Sequence, residues 1–102
     1  MELTPGLRLE SATCETQVVV VRAPDGGREV DVRCGGEPMR ELGTGGDPVP
    51  ITTEGEPTLL GKRYEDAELG LELLCSRGGE GSLSVGDTPL LVKGAKPLPS
   101  SD

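Results

Sequence analysis

The sequence predicts an all-β protein, a small antiparallel fold of two hairpin lobes. Three observations predict it. Short runs rich in Val and Leu, several alternating with polar residues, recur along the 102-residue chain, and alternation of this kind is the period of a half-buried strand. Clusters of Gly, Pro, Asp and Ser punctuate these runs with turn chemistry, and the 16 Gly and 9 Pro together are about a quarter of the chain. Finally, two parts of the chain can be laid on one another.

The elements follow in order. Leu7 and Leu9 alternate with Arg8 and Glu10, so Leu3–Glu10 contains a short strand after the Pro5-Gly6 turn. Gln17–Arg22 (QVVVVR) is the strongest strand, because four consecutive Val favour the pleat; an unbroken apolar run implies that both faces are covered. Asp25-Gly26-Gly27 reads as a turn, and Val30 and Val32 alternate with Glu29 and Asp31. The expectation is a hairpin pairing Val18–Arg22 with Glu29–Arg33. Gly43–Pro57 carries four Gly and three Pro and reads as a flexible connector. Structure resumes at Thr58–Tyr64. Glu65–Glu68 reads as a charged turn, Leu69–Cys75 and Ser82–Val85 as strands, and Leu90–Val92 follows a last turn. The expected organisation is one domain over 1–102: lobe one at about 1–42, connector 43–57, lobe two 58–94 and a loose tail 95–102.

Composition narrows the function. There is no Phe or Trp and only one Tyr, so the core is built from Val, Leu and Ile and is small. A metal, a disulfide or a second subunit often supplies what such a core lacks. The net charge of −8 opposes nucleic acid and anionic membranes, leaving neither as an expected partner. No leading signal pattern and no long apolar run is present, which gives a cytoplasmic expectation. Three Cys, an odd number, argue against a disulfide framework. The absence of His removes Cys-His and Ser-His nucleophile pairs. The expectation is therefore a chain that is not an enzyme.

Val18–Met39 (VVVVRAPDGGREVDVRCGGEPM) can be laid on Leu71–Leu90 (LELLCSRGGEGSLSVGDTPL). Glu37-Pro38-Met39 then matches Thr88-Pro89-Leu90, and Cys75 falls opposite Arg22. An internal duplication accounts for the match, and so does chance recurrence of turn residues in a Gly-rich chain. A duplication would imply two lobes packed face to face.

Ser11–Met39 (SATCETQVVVVRAPDGGREVDVRCGGEPM) resembles desulforedoxin and the N-terminal domain of desulfoferrodoxins. In that family four thiolates hold iron, or zinc in its place. The resemblance matches Cys14 to the second cysteine of the first pair. It matches Cys34, followed by Gly35, Gly36, Pro38 and Met39, to the last cysteine and its close. Ser11 stands at the first cysteine position and Arg33 at the third. A tetrahedral site needs four donors, so Cys14 and Cys34 would need Cys75 or a carboxylate to complete it. The resemblance thus implies a degenerate metal knuckle with Cys14, Cys34 and Cys75 as candidate zinc or iron ligands. No cofactor is otherwise expected.

Among the remaining residues, Met39 is expected to pack under the knuckle, and Tyr64 at the core edge with its hydroxyl in water. The function expected is a small acidic, non-catalytic accessory or structural binding protein; zinc or iron binding is the alternative. Its partner would be another protein, or a second copy joined through a strand edge.

Overall fold

A computed structural model describes residues 3–24, 29–52 and 55–93. Within them the chain has no helix and forms ten strands: β1 Arg8–Glu10, β2 Gln17–Arg22, β3 Val32–Cys34, β4 Glu37–Pro38, β5 Arg40–Glu41, β6 Arg63–Asp66, β7 Leu71–Arg77, β8 Leu83–Val85, β9 Thr88–Pro89 and β10 Leu91–Val92. They build two antiparallel sheets, one in the order β10-β6-β7-β2-β1-β5 and the other β4-β3-β8-β9. The all-β expectation is met. The tail and the Asp25-Gly26-Gly27 turn lie outside the described residues.

Both sheet orders read the same from either end once β1–β5 are exchanged with β6–β10. The pairing register shows the same symmetry. Leu9 faces Val18 as Tyr64 faces Leu73, 55 positions on. Cys34 faces Glu37 as Val85 faces Thr88, 51 positions on. The difference arises between β2 and β3 in the first half and between β7 and β8 in the second, where the chain lengths differ. Turn bonds repeat as well: Val20 N–H reaches Leu7 C=O (2.8 Å) as Cys75 N–H reaches Lys62 C=O (2.9 Å). The halves meet on a pseudo-twofold axis through the facing pairs Val19–Leu74 and Arg33–Ser84. An internal duplication accounts for this agreement far better than recurrent turn residues do. The match of Glu37-Pro38-Met39 to Thr88-Pro89-Leu90 is retained, but Cys75 corresponds to Val20, not Arg22.

The expected hairpin between Val18–Arg22 and Glu29–Arg33 does not form. β2 pairs with β1 and β7, while β3 pairs with β4 and β8 in the other sheet. The alternation was sound, since Val30, Val32 and Cys34 are buried. Alternation specifies which face is buried, however, and not which strand lies alongside. The lobes accordingly join edge to edge across both sheets rather than face to face. Nor are both faces of β2 covered: Val18 and Val20 are buried, whereas Val21 is exposed at an irregularity in the β2–β7 pairing.

One apolar cluster draws on both sheets, with Leu9, Val18, Val20, Leu71 and Leu73 from the larger and Val32, Cys34 and Leu83 from the smaller. Met39 is buried, as expected. Tyr64 is also buried, but its hydroxyl accepts the Leu59 N–H (2.9 Å) instead of facing water. Glu65 and Asp66 belong to β6, so the charged turn begins only at Ala67. Buried Glu72 on β7 is neutralised by Lys93 Nζ (2.7 Å) and Arg63 (3.2 Å), which ties the second half's outer strands together.

Candidate functional site: a thiol pair under a glycine loop

The site begins with the turn that joins β1 to β2. Ser11 Oγ accepts the N–H groups of Thr13 (3.0 Å) and Cys14 (3.1 Å), folding residues 11–16 into a knuckle. Asp66 does the same for Glu68 and Leu69 in the second half. Small polar side chains suit this role because they offer an acceptor close to the backbone. The Thr13 hydroxyl then donates to Cys34 C=O (3.1 Å), fastening the knuckle to the end of β3. Gly35 and Gly36 follow with φ of 68° and 89°, a tight turn that L side chains resist.

These elements place Cys14 Sγ 3.8 Å from Cys34 Sγ. Cys34 is fully buried, while Cys14 is half-buried. Around Cys14, Thr16 Oγ1 lies at 3.2 Å, Ser11 Oγ at 3.5 Å, and the Gly81 N–H donates at 3.3 Å. Burial raises the Cys14 thiol, but the Ser11 and Thr16 hydroxyls and the Thr16 and Gly81 N–H groups outweigh it and bring it down to about 6. Burial, joined by the charge of Cys14, outweighs the Ser11 and Thr16 hydroxyls at Cys34 and pushes its thiol up to about 11. At neutral pH the pair is a thiolate beside a thiol, and the thiolate is the nucleophilic form.

The second half supplies the lid. In loop 78–82, a Cβ on Gly79 would meet Cys14 Sγ at 2.9 Å, and one on Gly81 would meet Cys34 Sγ at 2.9 Å. Glycine is required there because the backbone itself lies against the sulfurs. Buried Thr58 holds this loop, its hydroxyl donating to Gly81 C=O at 2.6 Å and its backbone bridging Gly79.

The connector also contributes. It has no regular structure in its described part, as expected, yet it is docked rather than free. Val49 N–H reaches Ala12 C=O and Thr52 N–H reaches Gly35 C=O, both at 2.8 Å. The Arg40 guanidinium holds the carbonyls of Gly45 and Asp47, the latter at 3.0 Å. Residues 47–52 therefore form a strap bonded to both sides of the knuckle.

The three sequence candidates separate. Cys14 and Cys34 come together. Cys75 is buried on β7 with its thiol on Arg77 C=O (3.2 Å). Among the described residues no three Cys, His, Asp or Glu side chains are grouped to hold a metal ion. Arg33, at the third family position, turns away to Asp31 (2.7 Å) and Gly36 C=O (3.0 Å). Residue-by-residue reading missed Thr16, Gly79 and Gly81; the signal for the glycines was the Gly-Gly-Glu-Gly run between two strands.

Away from the thiols, a groove of about 390 Å³ is lined by Leu59, Tyr64, Pro89, Leu90 and Leu91 together with Arg33 and Asp87. No family model, curated protein or solved structure matches the chain.

Proposed function

We propose that the chain is a non-catalytic accessory binding protein on a duplicated, desulforedoxin-like scaffold, with the thiol pair of the first half as its working element. The observation that carries this reading is the contrast between the halves at equivalent positions. The first half has Cys14, Thr16 and Cys34, faced by Gly81. The second has Leu69, Leu71 and Val85, with buried Val30 where Gly81 would be. The same backbone is thus satisfied by four apolar side chains. A hydroxyl and an N–H directed at a sulfur add nothing that packing requires, but they stabilise a thiolate.

Two further features support the reading. Ser11 and Cys14 keep the three-residue spacing of the family's first pair, and Cys34 with Gly35, Gly36, Pro38 and Met39 behind it resembles the family's last cysteine and its close. The outer strand β10 leaves Leu91 70% exposed beside the groove, an edge to which a protein partner or a second copy could add.

The test is alkylation of the native protein with iodoacetamide at pH 7, mapped by mass spectrometry. Cys14 is expected to react first, with Cys34 and Cys75 protected. The double variant Cys14→Ala, Cys34→Val is expected to stay folded. If all three thiols react only on unfolding, and the double variant unfolds, the pair is merely core. Stoichiometric zinc or iron, lost with Cys14→Ser or Cys34→Ser, would replace this reading by the metal-binding one.

A further inference from the structure

We propose that Cys14 and Cys34 form a dithiol–disulfide couple, in which Cys14 attacks an exposed disulfide and Cys34 resolves the mixed disulfide. This rests on the reading of the thiol pair as the working element, and it names the chemistry of the ligand. Four geometric facts carry it. The sulfurs are 3.8 Å apart, so they need close by only about 2 Å to reach bonding distance. Their exposures differ in the sense that exchange needs: Cys14 is half-buried, and Cys34 is fully buried. A backbone donor is aimed at Cys14: the Gly81 N–H lies 3.3 Å from its sulfur, where negative charge resides before attack. The lid over both sulfurs is glycine backbone, which gives the pair room without a side chain to displace.

The steps balance. The Cys14 thiolate attacks one sulfur of R–S–S–R; that S–S bond breaks, a Cys14–S–S–R bond forms, and RS⁻ leaves and takes a proton from water. Cys34 then gives its proton to solvent, and its sulfur attacks Cys14 Sγ. The mixed disulfide breaks, the second RS⁻ leaves and takes up the proton that Cys14 gave to solvent on ionising, and the Cys14–Cys34 disulfide forms. The dithiol has lost two electrons and two protons, and R–S–S–R has become two RSH.

The other prominent features carry less. The groove beside β10 has no observation that selects its occupant, and Glu72 is fully accounted for by Lys93 and Arg63.

The experiment incubates the reduced full-length protein, without oxygen, with glutathione disulfide in one arm and insulin in the other. With glutathione disulfide, the protein is expected to lose two hydrogens and yield a Cys14–Cys34 peptide pair. Cys34→Ser is expected to accumulate glutathione on Cys14, and Cys14→Ser to acquire none on Cys34. With insulin, the reduced protein is expected to release insulin thiols if its disulfide source is a protein; release in that arm alone assigns a protein substrate, and exchange in the glutathione arm alone a small one. Exchange in neither arm overturns the couple, as does an adduct on Cys34 or Cys75 in place of Cys14. If Cys14 still alkylates rapidly in the protein that fails to exchange, the couple falls and the thiol reading stands. If Cys14 is inert to alkylation as well, both fall.

Discussion

Cys14 and Cys34 are neighbours that share the Ser11 and Thr16 hydroxyls but differ in burial and in the Gly81 N–H, and the difference is measurable as a pH profile. Alkylation of Cys14 is expected to rise with pH through a midpoint of about 6, while Cys34 stays protected until the strongly alkaline range. Thr16→Val, which keeps the shape and removes the hydroxyl, should move the Cys14 midpoint upward. The same shift acts on stability. A free thiol titrates near about 8.5, so between that value and about 6 the unfolded chain holds a proton that the folded chain does not. The Cys14 contribution to stability is thus fully present above the unfolded value and is lost as pH falls through about 6. Urea unfolding at several pH values, native protein against Cys14→Ser, should show a difference that grows from acid to neutral pH. A second residue-scale test concerns the lid. Gly81→Ala places a Cβ against Cys34 Sγ and against the Gly35 nitrogen, each at 2.9 Å. Overpacking of this kind costs about 1–3 kcal/mol, and thermal unfolding should report it.

At the scale of elements, the lid and the strap are held by few bonds. Thr58 is buried, and its hydroxyl is bonded to Gly81 C=O. Thr58→Val should cost about 1–3 kcal/mol, because a buried carbonyl loses its partner, and Cys34 should alkylate faster as loop 78–82 loosens. Arg40 is a different case. Its guanidinium clamps the exposed carbonyls of Gly45 and Asp47. Arg40→Ala should leave the unfolding midpoint nearly unchanged while making 44–52 the first site of limited proteolysis. In the native protein the bonds from Val49 to Ala12 and from Thr52 to Gly35 should slow cutting there. Early cleavage of the native strap would mean that these bonds do not hold it.

At the scale of the molecule, the two halves depend on one another. β2 and β7 are the central strands of the larger sheet, β3 and β8 those of the smaller, and each pair spans the halves. A half alone would expose the edges of two core strands together with the side chains they bury. Fragments 1–57 and 58–102, made separately, are expected to lack cooperative unfolding, and an equimolar mixture to recover it. A thin aromatic-poor core therefore finds inside one chain the partner that a homodimer would otherwise bring.

The sequence by itself determined the fold class, the longer strand segments and the buried face of the alternating ones, though not of the Val run in β2. Val30, Val32 and Leu83 are buried where the apolar pattern puts them, because side-chain period and turn chemistry act over a few residues. It also showed the repeat, though misaligned by two residues in the β2–β7 region, since a Val and Leu run offers no marker of register. Strand partners lay beyond it. β2 bonds to β7 across more than fifty residues, and the strand that follows β2 belongs to the other sheet. Backbone groups carry no label for a partner, so topology comes from burying all the apolar faces at once. The site followed the same division. The motif pointed to Cys14 and Cys34, but only the folded chain brought Thr16, Gly79, Gly81 and Thr58 to them and turned the Cys75 thiol onto Arg77 C=O.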